Sequence, residues 1–152
     1  MKVLIASGLV LLGACADPGR GADQRRARAE AGDPQAQRDL GLECLDRGAV
    51  EEATRWLDRS ASSGDRVAQR ELAQILIGSD QDTDRERGYA LALVAAEAGD
   101  LRAGNLVAWC LHRGVGIGTD RDQARRRWRD LAARGSAPAW RHLGLIAATG
   151  DG

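Results

Sequence analysis

The chain has 152 residues, with 22 basic side chains against 22 acidic ones and a formal net charge of zero. A domain of this size buries roughly two-thirds of its unfolded-chain surface, and 43% hydrophobic residues exclude a disordered chain. Balanced charge argues against a dedicated nucleic-acid binder, while 3% aromatics with no Phe disfavour an aromatic β-sandwich core and fit alanine-rich helices.

Met1-Lys2 form a short charged start, and Val3 to Leu12 form an apolar run. The run is too short to span a bilayer, which needs about 20 residues, and suits the core of a signal peptide. It ends in Leu12-Gly13-Ala14-Cys15, which resembles the lipobox of bacterial lipoproteins. The resemblance implies that residues 1–14 are removed and that Cys15 is lipidated. Ala16 at the next position favours the outer membrane, facing the periplasm, while Asp17 leaves the choice of membrane open. Residues 15–23, with Asp17-Pro18-Gly19-Arg20-Gly21, read as a lipidated tether, and 24–152 as the folded domain. Such an address excludes nucleic acid and ATP as partners on compartment alone. Lys2 is the only lysine, so the mature chain holds arginine as its sole strong base.

An internal repeat organises the remainder. Gly32, Gly64, Gly99 and Gly135 are followed by Asp33, Asp65, Asp100 and Ser136. Four positions after each glycine stand Ala36, Ala68, Ala103 and Ala139; eight after stand Leu40, Leu72, Val107 and Leu143. Gly41, Ala73, Ala108 and Gly144 come next, and Ala29, Ala61, Ala96 and Ala132 precede the glycines by three. Glycine closes one helix in the left-handed conformation, Asp or Ser caps the next, and small residues let helices approach closely. These columns predict helices near 34–46, 50–62, 66–77, 84–98, 101–113, 121–134 and 137–149, with 24–31 ending an N-terminal half unit.

The third unit, Ala103…Val107-Ala108…Leu111…Gly114-x-Gly116-Ile117-x-x-Asp120…Ala124…Trp128…Ala132…Gly135, resembles the Sel-one-like repeat, a relative of the tetratricopeptide repeat. The resemblance implies an all-α fold, a right-handed solenoid of paired antiparallel helices with about three repeats and partial end units. It also implies a scaffold for protein–protein contacts with no catalytic residues. The first unit has a shorter loop, and the second carries Gly88 where the pattern prefers alanine.

Other constellations are weaker. Asp80-x-Asp82-x-Asp84 resembles the start of a calcium loop, but Arg85 replaces the required glycine and Leu91 the bidentate glutamate; Asp84 instead falls at a helix-capping position. Gly114-x-Gly116-x-Gly118 lacks the strand and lysine of a phosphate loop. Cys110, His112, His142 and Cys44 have no zinc-ligand spacing, and no metal or cofactor is implied. Cys44 and Cys110 lie a whole unit apart and are expected as free, mostly buried thiols.

Arg121, Arg125 and Arg129 fall on one stripe of a helix whose Ala124, Trp128 and Leu131 face inward. Asp122–Arg126 and Arg126–Asp130 are expected as i,i+4 pairs. Trp56 and Trp128 match family core positions, whereas Trp140 stands where other units have Gln37, Gln69 and Gly104. In tetratricopeptide-like solenoids first helices line the concave face, so Trp140 with Arg141 reads as an exposed anchor. Leu143, Ile146 and Ala147 end the chain's last helix without a following one, which points to a partner or a second copy at this end.

The expected function is a membrane-anchored periplasmic scaffold for envelope proteins, in complex assembly, secretion or signalling. A second reading is binding of an anionic polysaccharide or lipid through the arginine stripe. A third, a cell-wall hydrolase, lacks paired acids and any nucleophile–base arrangement.

Overall fold

The computed structural model describes residues 18–149. Eight helices follow one another: α1 (Pro18–Glu30), α2 (Pro34–Asp46), α3 (Val50–Ser62), α4 (Arg66–Ile77), α5 (Asp82–Glu97), α6 (Leu101–Arg113), α7 (Arg121–Ala133) and α8 (Ala137–Thr149). There is no strand among the described residues. Each helix packs on its chain neighbours, and α4 also touches α2 and α6, so the first helices form the inner side of the stack.

The repeat columns explain this arrangement. Gly32, Gly64, Gly99 and Gly135 all take the left-handed conformation, with φ of 98°, 86°, 92° and 88°. The following aspartates cap the next helix: Asp33 accepts from the Gln35 and Ala36 amides, Asp65 from Ala68, and Asp100 from Arg102 and Ala103. Pro34 occupies the first position of α2, where its missing N–H costs nothing. The alanines four residues past each glycine are buried. Close approach is literal at Gly41 and Gly104, where an added Cβ would lie 2.7 Å from Leu57 Cγ and 2.8 Å from Leu131 Cδ2. Gly88 has the same explanation: a Cβ there would stand 3.0 Å from the Ala73 carbonyl oxygen and the Ile77 nitrogen, so the α4–α5 contact requires the departure from alanine.

Three connected apolar clusters form the core. One gathers Ala29, Cys44 and Trp56; another gathers Leu57, Leu72 and Leu76; the third lies around Val107, Leu131 and the fully buried Trp128. Trp56 and Trp128 are thus core residues, as the columns require. Cys44 and Cys110 are buried free thiols in different clusters.

Several expectations are corrected. Helix α1 starts at Pro18, so residues 18–23 are helical where a tether is expected. The glycines there read as breakers, but proline suits a first helical turn, and downstream contacts anchor the helix: Ala29 is buried and Arg25 pairs with Glu43. Helix α5 begins at Asp82 and ends at Glu97, and α7 ends at Ala133. Asp84 does not cap α5; Gln81 holds that position without a side-chain bond. Asp82 and Asp84 fill the first turn, where negative charge suits the helix dipole. Asp84 accepts a 2.8 Å hydrogen bond from Ser79 Oγ, which itself accepts from the Gln81 amide.

Ion pairs join successive units in register. Arg38 in α2 reaches Asp65 at 2.9 Å, and Arg70 in α4 reaches Asp100 at 2.7 Å. Each arginine thus grips the aspartate that caps the next unit's first helix. At the third junction the same two registers hold Asn105 and Ser136, and the Asn105 amide donates to Ser136 Oγ at 2.6 Å.

Candidate functional site

Helix α8 lies between two concavities. The outer one, about 530 Å³, is a groove between α7 and α8 lined by Arg125, Arg129, Ala132, Trp140, Leu143, Ile146 and Ala147. Its α8 wall exists because Ala139 and the partly buried Leu143 and Ile146 anchor the helix on the third cluster, which turns Trp140 outward. Trp140 is 63% exposed, and Leu145 on the same helix is 60% exposed. The groove brings together three of the five residues singled out for partner binding. The other two lie outside it: Arg121 begins α7, and Arg141 projects from α8, both exposed. Cys15 lies outside the described residues.

Charges around the groove are little neutralised. Arg125 reaches Asp122 only at 3.8 Å, and among the described residues Arg129 meets no carboxylate. The expected Asp122–Arg126 and Arg126–Asp130 pairs do not form; Asp130 turns to Arg134 at 3.5 Å instead. That pair keeps the acid N-terminal to the base four residues on, the better orientation on a helix.

The second concavity, also about 530 Å³, lies on the inner side among α4, α6 and α8. Gln74, Arg102, Leu106, Trp109 and His142 line it. Trp109 was not singled out by sequence reasoning. The signal was present: its register holds Leu42 and Gln74 in earlier units, positions the solenoid leaves incompletely buried.

Beneath α8, the Trp128 ring sits between two histidines. His142 stacks on it with centroids 4.8 Å apart and planes inclined by 13°, and His112 meets it at 5.5 Å and 56°. Burial, together with the charges of Arg141 and His112, pulls the His142 pKa below its ordinary value. Burial also raises the Cys110 thiol to about 11, so it stays protonated and unreactive. Among the described residues no three His, Cys, Asp or Glu side chains gather as a metal site. No described helix is long and apolar enough to cross a membrane.

Paired helices in register, capped by glycine–aspartate turns, define an α-solenoid of the tetratricopeptide-like class. A Sel1 repeat protein from Oxalobacter formigenes is 27% identical, with a TM-score of 0.66 over 82% of this chain and 98% of that one. A protective antigen present in uropathogenic Escherichia coli strains, with an SLR fold, is 28% identical, with a TM-score of 0.78 over 91% of this chain and 31% of that one. A Sel1 repeat protein from Klebsiella pneumoniae is 32% identical, with a TM-score of 0.65 over 85% of this chain and 64% of that one. No protein-family profile and no curated protein matches. These neighbours support a Sel1-like repeat fold for the chain. That fold suggests a scaffold for protein–protein contacts.

Proposed function

We propose that this protein is a lipid-anchored scaffold of the bacterial periplasm that holds a partner protein in the α7–α8 groove. One observation carries the reading: an exposed tryptophan shares a groove with two arginines, one of them without a carboxylate partner among the described residues. A large exposed aromatic beside arginine is the composition of a binding hot spot, and a rigid helical stack holds it ready without ordering cost. The lipobox-like Leu12-Gly13-Ala14-Cys15 supports the anchor, and the apolar run before it supports export. The partner belongs to an envelope complex, in assembly, secretion or signalling, and no chemistry is performed by the scaffold itself.

The test is a photocrosslinking residue at position 140, introduced into the full-length protein in cells. A specific protein adduct that disappears with Arg125→Ala and Arg129→Ala is expected; absence of any protein adduct would defeat the reading. For the anchor, Cys15→Ala should move the protein out of the membrane fraction, and unchanged fractionation would remove lipidation. A second reading, an anionic polysaccharide on the arginine stripe, is favoured by the paucity of acids near the groove and predicts steep weakening with salt.

A further inference from the structure

The zero net charge conceals a separation. Residues 21–100 carry 11 arginines against 17 acids, whereas residues 121–149 carry seven arginines against two acids, Asp122 and Asp130. From residue 131 to the end of α8 there is no acid at all. The groove therefore lies in the most basic part of the molecule, and its floor is apolar: Trp140, Leu143, Ile146 and Ala147.

Earlier units show what shape fits such a ridge. Leucine from a second helix seats on the small residue of the first: Leu57 against Gly41 and Leu131 against Gly104. In α8 the matching registers are Gly144, where an added Cβ would meet nothing within 4 Å, and Trp140, which is exposed. The ridge is a helix-docking ledge, and the charges beside it are positive.

We infer that the α7–α8 groove takes an acidic amphipathic helix of another protein, with apolar residues on Trp140, Leu143 and Gly144 and carboxylates on Arg125 and Arg129. This rests on the scaffold reading and gives the partner its chemistry. A second copy docking through α1 does not fit. At the registers where α7 presents Ala124, Trp128 and Leu131, α1 has Gly21, Arg25 and Arg28, which would bring arginines to arginines.

The test uses full-length protein in detergent micelles and titrates synthetic peptides that contain no tryptophan, read through tryptophan fluorescence. The first peptide carries leucine and alanine at the spacing of Ala124, Trp128, Leu131 and Ala132, with glutamate outward. The second is its scrambled isomer, the third has lysine for glutamate, and alginate serves as the polysaccharide probe. The amphipathic acidic peptide should bind at least about tenfold more tightly than the others. Gly144→Leu should weaken it about tenfold without lowering the Tm, because a Cβ at that position meets nothing within 4 Å among the described residues. Arg125→Gln with Arg129→Gln should weaken it similarly. Equal binding of the scrambled peptide or alginate overturns the helix and leaves a charge-reading surface. Equal binding of the lysine peptide, or binding of no probe, overturns the inference. Concentration-dependent self-association abolished by Gly144→Leu would assign the ledge to a second copy. A surviving protein adduct from position 140 beside a failed peptide would sink this inference and spare the scaffold; loss of both sinks both.

Discussion

The front of the solenoid and its last two helices use arginine in opposite ways. In α1 to α5, most arginines are consumed internally: Arg25 on Glu43, Arg28 on Asp33, Arg38 on Asp65, Arg70 on Asp100, Arg87 on Asp58. Around α7 and α8, Arg125 reaches Asp122 only at 3.8 Å and Arg134 reaches Asp130 at 3.5 Å, while Arg126, Arg127, Arg129 and Arg141 meet no carboxylate among the described residues. One residue type thus cements the front and advertises the rear. The difference teaches that surface charge in a repeat protein is read junction by junction, against the partner its register supplies.

The largest effect should come from setting the two rear tryptophans against each other. Trp128→Ala removes a side chain that is 1% exposed and should cost about 4 kcal/mol in chemical denaturation. Trp140→Ala should change stability by no more than about 0.5 kcal/mol while abolishing the position-140 contact. Comparable losses would mean that Trp140 is core and the rear surface closed.

The front ladder is broken by Arg70→Met, which leaves Asp100 with its backbone bonds alone and should cost about 2 kcal/mol. Burial would raise the Asp100 pKa, but the Ala103 amide and the Arg70 charge outweigh it and hold the pKa below 3.8. Its contribution is therefore complete above that value and lost as pH falls through the lower folded-state pKa. The substitution should make acid unfolding begin at higher pH, as circular dichroism would record.

Glycines sharpen the comparison further. Gly88→Ala forces a Cβ onto the α4 backbone and should cost about 1–3 kcal/mol, whereas Gly144→Ala should stabilise α8 by up to about 1 kcal/mol. Thermal melts of the two variants moving in the same direction would contradict the open ledge.

The smallest effect concerns pH at the rear. The His142 pKa is depressed, so folding favours the neutral ring; stability is complete above the ordinary histidine value of 6.5 and declines below it. His142→Phe should flatten that decline. An unaltered pH profile between 5 and 7, on the order of one unit either side of the histidine value, would show that the ring does not titrate on unfolding.

Much of this was legible in the residues because a repeat supplies its own comparison. The glycine, aspartate and alanine columns place α2, α3, α4, α6 and α8 at their observed bounds, since caps and small contacts act locally. The ladder was written in the sequence too, as Arg38, Arg70 and Asn105 in one column and Asp65, Asp100 and Ser136 in another. Reading it requires knowing that one column faces the next unit's other column, which is a fact of stacking. The start of α1 was hidden because glycine-rich local propensity disagrees with the structure, and the contacts of Ala29 and Arg25 act from farther along. Trp140 was legible as an odd residue in its column; Arg125 and Arg129 were legible as a stripe. That the three share one groove depends on how α8 lies across α7, and no periodicity within either helix specifies it.

The neutral pair at the third junction has a consequence for how the stack comes apart. Repeat arrays unfold according to the coupling between neighbours, and ion pairs weaken as salt rises, modestly where they are partly buried, while a neutral amide–hydroxyl bond does not. Arg38–Asp65 and Arg70–Asp100 make the front couplings partly electrostatic, and Asn105–Ser136 makes the rear one indifferent to ionic strength. Raising salt should therefore shift the order of fraying toward the amino-terminal units, leaving hydrogen exchange slowest around α6 and α7, so that the end bearing the groove keeps its shape longest in a salty compartment.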